Sequence, residues 1–364
     1  MYRRAYALLL GIALTMGLLA VVAALSTHKG LSDPDGFLGP SWARLPLLIA
    51  AAFLADLLPR TLWQSRMRPR LMPEIFTRRV RSHWTRERMT LVVLGVVCFY
   101  LTYVSYRNLK SFLPFVLNDT KYDRELHLLD RALLFGADPG VLMHDLLGTG
   151  FMAFFLSYVY LWFLPLVPLA LTAWLVWSRN LSFGYWFATS QCIAWTLGTL
   201  SYYALPTLGP GLAYPSAYAT PEVLPETPTS SLMEGLLNTR HAVMIEGVDG
   251  VVQSVAGFAS LHCAITLLVA LMVQFTLRNR VLKIVFWTNF GFTVLATIYF
   301  GWHYLADDVA GIMIAFVAFY VGGVASGQKF ERRGLHSHPT TTTSAVPVDQ
   351  DPDDFCASEQ ITTL

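Results

Sequence analysis

The sequence predicts an all-α fold, a polytopic membrane helix bundle of about eight spans. Hydrophobic residues make up 54% of the 364 and charged residues only 14%. Apolar runs of about 17 residues or more recur along the chain, long enough to cross a hydrocarbon core. Basic residues concentrate in alternate connections between those runs, as the positive-inside rule expects of membrane helices. The net charge of +2 says little by itself, and no basic patch suggests nucleic acid. Cys98, Cys192, Cys263 and Cys356 are scattered, so they form neither a disulfide frame nor a thiolate metal site.

The spans are expected at 5–25, 43–58, 89–106, 151–177, 181–205, 260–277, 284–300 and 309–326. The first follows Met1-Tyr2-Arg3-Arg4. Its run exceeds a usual signal-peptide core and Ser26-Thr27-His28 is a poor cleavage site, so it reads as a retained span. The second is the weakest, with Arg44 and Asp56 near its ends. After it, 59–88 carries Arg60, Arg66, Arg68, Arg70, Arg78, Arg79, Arg81, Arg86 and Arg88 against Glu74 and Glu87. A surface helix from Pro73 towards Met89 can rest there on anionic headgroups, or the loop is an ordinary cytoplasmic anchor. Pro165 and Pro168 should kink the fourth span.

Arg179, the turn at 278–283 and the stretch at 329–333 are also basic. With eight spans all of these share the side of 59–88. The expectation is a multi-pass cell-membrane protein with both termini cytoplasmic. The loops 26–42, 107–150, 206–257 and 301–308 then face away from the cytoplasm. Within 107–150, Tyr122, Leu126, Leu129 and Leu133 repeat at helical spacing, which predicts an interfacial amphipathic helix. The loop 206–257 is acidic, with Glu222, Glu226, Glu234, Glu246 and Asp249 against Arg240. The Thr- and Pro-rich tail cannot bury enough apolar surface to order itself. The organisation expected is two N-terminal spans (1–58), a basic cytoplasmic loop (59–88), a six-span core (89–328) and a disordered cytoplasmic tail (329–364).

The chemistry concentrates in two stretches. Ala259-Ser260-Leu261-His262 opens one span, and Gly301-Trp302-His303-Tyr304-Leu305-Ala306-Asp307-Asp308 opens the last. A chain that enters a bilayer beside one histidine and returns beside another brings both to one face. His303 and Asp307 are four apart, so on a helix the carboxylate can hold one ring nitrogen and leave the other nucleophilic. Ser260 is a natural N-cap, and amides at a helix mouth favour a phosphoryl group. A protonated His262 can then serve a leaving oxygen. The same residues also fit plainer roles: an interfacial imidazole with its tip in water, a helix-capping carboxylate, or half of a metal site.

Ala259-Ser260-Leu261-His262 resembles the Pro-Ser-Leu-His or Pro-Ser-Gly-His element of the type 2 phosphatidic acid phosphatase superfamily. Gly301-Trp302-His303-Tyr304-Leu305-Ala306-Asp307 resembles that superfamily's final His-x-x-x-Asp element. The likeness covers about 89–326, a six-helix lipid-phosphatase-like core. Its Leu-His and His-Tyr variants are similar to the inositol phosphorylceramide synthase and inositolphosphotransferase branch and its bacterial relatives. The resemblance implies a lipid phosphotransferase or phosphatase that uses no metal or cofactor and works through a phosphohistidine. His303 is then the nucleophile, Asp307 its orienter, and His262 the acid and later the base. The donor is a lipid phosphate or phosphoinositol-type lipid, and the acceptor a lipid, a polyol or water.

Three departures bear on phosphate binding. The Ser-Arg pair seven and six residues before the nucleophile is replaced by Ala296 and Thr297, and the Pro before Ser260 by Ala259. Lys-x6-Arg-Pro has no match, its place taken by Tyr106-Arg107-Asn108-Leu109-Lys110. A phosphate dianion leaves water only for paired donors. Arg107 and Lys110 are therefore the first candidates to replace the missing cations, with Arg240 next, Arg124 and Arg131 behind, and Ser260 at the helix mouth. Each Arg or Lys can instead be a snorkelling anchor. Pro206-Thr207-Leu208-Gly209-Pro210-Gly211 ends a helix, and its amides can line the pocket. Asp123, Asp130 and His127 either bind a polyol or form the solvated face of the interfacial helix. Other classes share these features: a simple phosphatidic acid or polyprenyl phosphate phosphatase, a lipid transporter or proton relay, and a non-catalytic scaffold. Against a relay, the ionisable groups gather at one surface and mid-span charges, which cost ~2.5–3.5 kcal/mol each, are nearly absent.

Overall fold

The computed structural model describes residues 3–35, 40–218, 224–245, 257–330 and 340–341. The chain is a helical bundle, with one two-residue antiparallel pairing of Gln328–Lys329 with Thr340–Thr341 among the described residues. Helix α1 spans Arg3–Thr27, α2 Ser41–Gln64, α3 Met72–His83 and α4 Arg86–Val116. Two short helices follow, α5 (Asp123–Leu133) and α6 (Pro139–Leu147). The fourth expected span is α7 (Phe151–Leu161), α8 (Phe163–Thr172) and a π-helical turn, Ala173–Trp177. Then come α9 (Leu181–Ala204), the single turns α10 (Pro210–Ala213) and α11 (Pro215–Tyr218), and α12 (Pro228–Met244). The last three are α13 (Leu261–Thr276), α14 (Arg280–Tyr299) and α15 (Leu305–Ala325).

Among the described residues, six stretches are long and apolar enough to cross a membrane: α1, α2, α4, Phe151–Trp177, α14 and α15. Two of the eight expected spans, those at α9 and α13, do not meet that length and hydropathy. Helix α9 packs against α1, α4, α13 and α15. Enclosed by protein, it needs no apolar surface towards lipid, and it buries Ser182, Thr189, Ser190 and Gln191. Helix α13 is only 16 residues long and is buried over most of its length.

The charges of the weak second span are paired. Arg44 bonds Asp33 at 2.8 Å and also Tyr100, while Asp56 accepts from Arg79 at 3.1 Å and from the Trp84 indole at 3.0 Å. The break in the fourth span falls at Trp162, ahead of the prolines. Pro165 has no N–H to donate and its ring crowds the preceding turn, which separates α7 from α8 there. The basic loop does contain a helix, α3, which begins with Pro73 at its second residue.

The largest change from the sequence reading concerns α4. It runs ten residues beyond the expected end of the third span, so Arg107 and Lys110 belong to its last turns. At a spacing of three they share a helix face. Glu222, Glu246, Asp249, Cys356 and nearly all of the tail at 329–364 lie outside the described residues.

Candidate active site

Helices α13 and α15 bring the two motifs together. Ser260 caps α13, its Oγ accepting from the Cys263 amide at 3.4 Å. Its own amide donates to the Asp307 carbonyl at 2.9 Å. Gly311, one turn further along α15, lies so close to the Ser260 carbonyl that a Cβ there would overlap it. This glycine permits the close approach of the two helices. At the turn between α14 and α15, Gly301 has φ +65°, a conformation glycine adopts at little cost.

His303 lies in that turn, two residues before α15, and is 6% exposed. Its Nδ1 donates to Asp307 Oδ2 at 3.1 Å, and the same oxygen accepts from the Tyr304 amide at 3.1 Å. Asp307 is fully buried, and its Oδ1 has no partner among the described residues. This arrangement fixes the imidazole tautomer and leaves Nε2 with its lone pair. Burial pushes the His303 imidazole down to about 4, opposed by the Asp308 charge and reinforced by that of Lys110. His303 is therefore neutral near pH 7.

The His262 ring centre is 6.3 Å from that of His303. It stacks on Tyr160 at 4.3 Å and packs against Phe163 at 4.2 Å. Tyr160 in turn stacks on Trp302 at 5.2 Å. Both histidines line a cavity of about 190 Å³, together with Arg107, Lys110, Tyr160 and Trp302, and Leu232 and Leu236 of α12 also line it. Lys110 Nζ lies 4.9 Å from the centre of the Tyr202 ring and 3.5 Å from the Tyr106 hydroxyl.

The remaining sequence candidates are elsewhere. Arg240 bonds Asp119 at 2.6 Å and lines a separate small pocket that also includes Lys110. Arg124 is exposed, and Arg131 donates to the Gly136 carbonyl at 3.0 Å. His127 stacks on Tyr214 at 4.2 Å. At the place of the missing Ser-Arg pair, Thr297 donates to the buried Asp308 at 2.9 Å, and Cys263 Sγ donates to the other Asp308 oxygen at 2.9 Å.

Asp123 and Asp130 are neither solvated nor placed on the cavity. Asp123 accepts from the amides of Leu208 and Gly209 at 3.0 Å and from the Tyr304 hydroxyl at 2.9 Å. Asp130 accepts from the Leu305 amide at 3.1 Å. The Pro206–Gly211 amides proposed for the pocket are thus partly taken by Asp123, and that of Gly211 by the Gly301 carbonyl. Helix α5 turns Asp123, Leu126 and Asp130 inward and leaves Glu125, Leu128, Leu129 and Leu133 exposed, so the outer face suited to a membrane surface lacks Leu126 of the expected repeat. Burial pushes Asp130 up to about 6, against the bond from Leu305 and reinforced by the Asp307 and Asp138 charges. The signal that could have revealed this pair is their spacing of seven, which puts both on one helix face.

Among the described residues no group of three or more His, Cys, Asp or Glu is placed to hold a metal ion. A family model described as the PAP2 superfamily matches residues 124–321. No curated protein and no solved structure matches the chain.

Proposed function

The chain belongs to the PAP2 superfamily, the type 2 phosphatidic acid phosphatase group, and on that premise we propose that it is a membrane enzyme that moves a lipid-linked phosphoryl group through a phosphohistidine on the face away from the cytoplasm. One observation carries the reading: His303, held by Asp307, shares a small cavity with His262, Lys110 and Arg107. His303 Nε2 attacks phosphorus in line, and His262 gives its proton to the departing oxygen. In the second step His262 takes a proton from the acceptor hydroxyl as that oxygen attacks the phosphohistidine. Lys110 and Arg107 bind the phosphoryl oxygens, and transfer of this kind relies mainly on positioning and charge stabilisation.

Transfer to a lipid or polyol hydroxyl is favoured over release to water. The Ser-Arg pair typical of the phosphatases is absent, and Thr297 in its place is committed to Asp308. Leucines of α12 and aromatic side chains from α7 and α8 wall the cavity and limit water at the phosphohistidine. The branch this favours is the inositolphosphotransferase-like one. The test uses full-length protein in detergent with ³²P-labelled phosphatidic acid and phosphoinositol lipids, each with and without a hydroxyl-lipid acceptor and chelator. The expected result is chelator-insensitive transfer and an acid-labile label on protein. No turnover and no label on any donor would end the reading.

Asp130 is assigned a positioning role, since it anchors the first amide of α15 just after the nucleophile. Asp130→Ala is expected to lower kcat about 10- to 100-fold, because small misplacements of reacting groups are costly. Asp130→Asn keeps an acceptor for Leu305 and should stay within about threefold of wild type. Equal loss in both variants would show that the carboxylate acts in some other way.

A further inference from the structure

Two residues that line the histidine cavity each carry a buried N–H donor with no partner among the described residues. The donors are Nε1 of Trp302, a residue only 3% exposed, and Nε of Arg107. Buried donors in folded proteins are nearly always satisfied by protein, water or ligand, so unpaired ones on residues that line a cavity point to an acceptor bound there. The Trp302 ring is held in place. It lies within 10° of parallel to Tyr160, which stacks on His262, and its backbone amide donates to the Thr297 carbonyl at 2.9 Å. The indole thus belongs to the same aromatic column as His262 and is the chain neighbour of His303. At the position where the superfamily's motif has an arginine, the Thr297 hydroxyl is already bonded to Asp308.

From this geometry we infer that Trp302 is a phosphoryl-binding residue whose indole N–H, together with Arg107, donates to the non-bridging phosphoryl oxygens and replaces the donor missing at Thr297. An indole is a neutral donor that cannot titrate. It can therefore stabilise an anionic oxygen in this cavity without adding charge beside His303, where Lys110 already disfavours imidazole protonation. The inference rests on the phosphohistidine reading above and adds one contact to it.

The test is Trp302→Phe in the full-length protein, which keeps a ring to stack on Tyr160 and removes only the indole donor. Orthovanadate serves as the probe because it mimics the five-coordinate phosphoryl group. Loss of one such donor is expected to lower kcat ~10²-fold and to weaken vanadate inhibition by a similar factor, with the unfolding midpoint little changed. Turnover and vanadate inhibition equal to wild type would overturn the assignment. If Trp302→Phe does not fold, ¹⁵N-indole-labelled wild type decides, with the Trp302 resonance identified by its loss in Trp302→Tyr. A downfield shift of that N–H on adding vanadate supports the contact, and an unmoved resonance refutes it. A wild-type protein without vanadate-sensitive turnover would count against the phosphohistidine reading, while the indole titration would still report on Trp302.

Discussion

His303→Ala abolishes turnover, by about 10⁴-fold or more on the scale of other enzymes that lose a nucleophile, and leaves no ³²P on the protein. The size of the effect follows from the site's construction. His303 is the imidazole whose Nδ1 is held by a buried carboxylate, and burial keeps it neutral near pH 7. The alanine variant has a structural cost as well. It removes one of the two donors to Asp307 Oδ2, leaving only the Tyr304 amide on a buried carboxylate whose Oδ1 has no partner among the described residues. A lost hydrogen bond to a buried charged group costs about 1–3 kcal/mol. His303→Asn separates the two effects, since its amide can still donate to Asp307 but does not form a stable phosphoryl adduct. A folded His303→Asn protein is expected to be as inactive as the alanine variant. Labelling of either variant at the wild-type level would remove His303 from the nucleophile's role.

The second large effect is expected at His262. His262→Ala should slow the first step by about 10²–10⁴-fold, the usual contribution of a positioned general acid. The loss depends on the leaving group. An alkoxide leaves poorly without a proton, whereas an activated aryl phosphate leaves as a stable anion. The variant should therefore be impaired most on natural lipid phosphates and least on aryl esters. Equal losses across the series would mean that His262 only packs between Tyr160 and Phe163, whose rings lie within 4.3 Å of it. His262→Phe, which fills the aromatic column, guards against a void being mistaken for lost acid catalysis.

The sequence reading was most informative where the determinants are local. The apolar runs marked the spans because lipid-facing helices need uninterrupted apolar surface, and the likeness at Ser260–His262 and His303–Asp307 drew attention to two histidines that line one cavity. It was least informative where partners are distant in the chain. Leucines repeating along α5 drew attention to its outer face, while Asp123 and Asp130 on the inner face bond to Leu208, Tyr304 and Leu305. The stacking of Trp302 on Tyr160, and of Tyr160 on His262, joins residues from three separate stretches of the chain that no local pattern connects. The polar character of α9 likewise makes sense only from its enclosure at the centre of the bundle.

What the sequence alone determined is a helical membrane bundle, and it nominated two imidazoles and a carboxylate as the candidate site, because hydropathy and short spacings are properties of neighbouring residues. Only the tertiary structure decided which other groups join them. Arg107 and Lys110 reach the cavity because α4 continues as a helix past the expected end of its span, Arg240 is held apart by Asp119, and α5 anchors the turn that carries His303. These outcomes depend on helix lengths and on contacts between segments far apart in the chain, which no local pattern records.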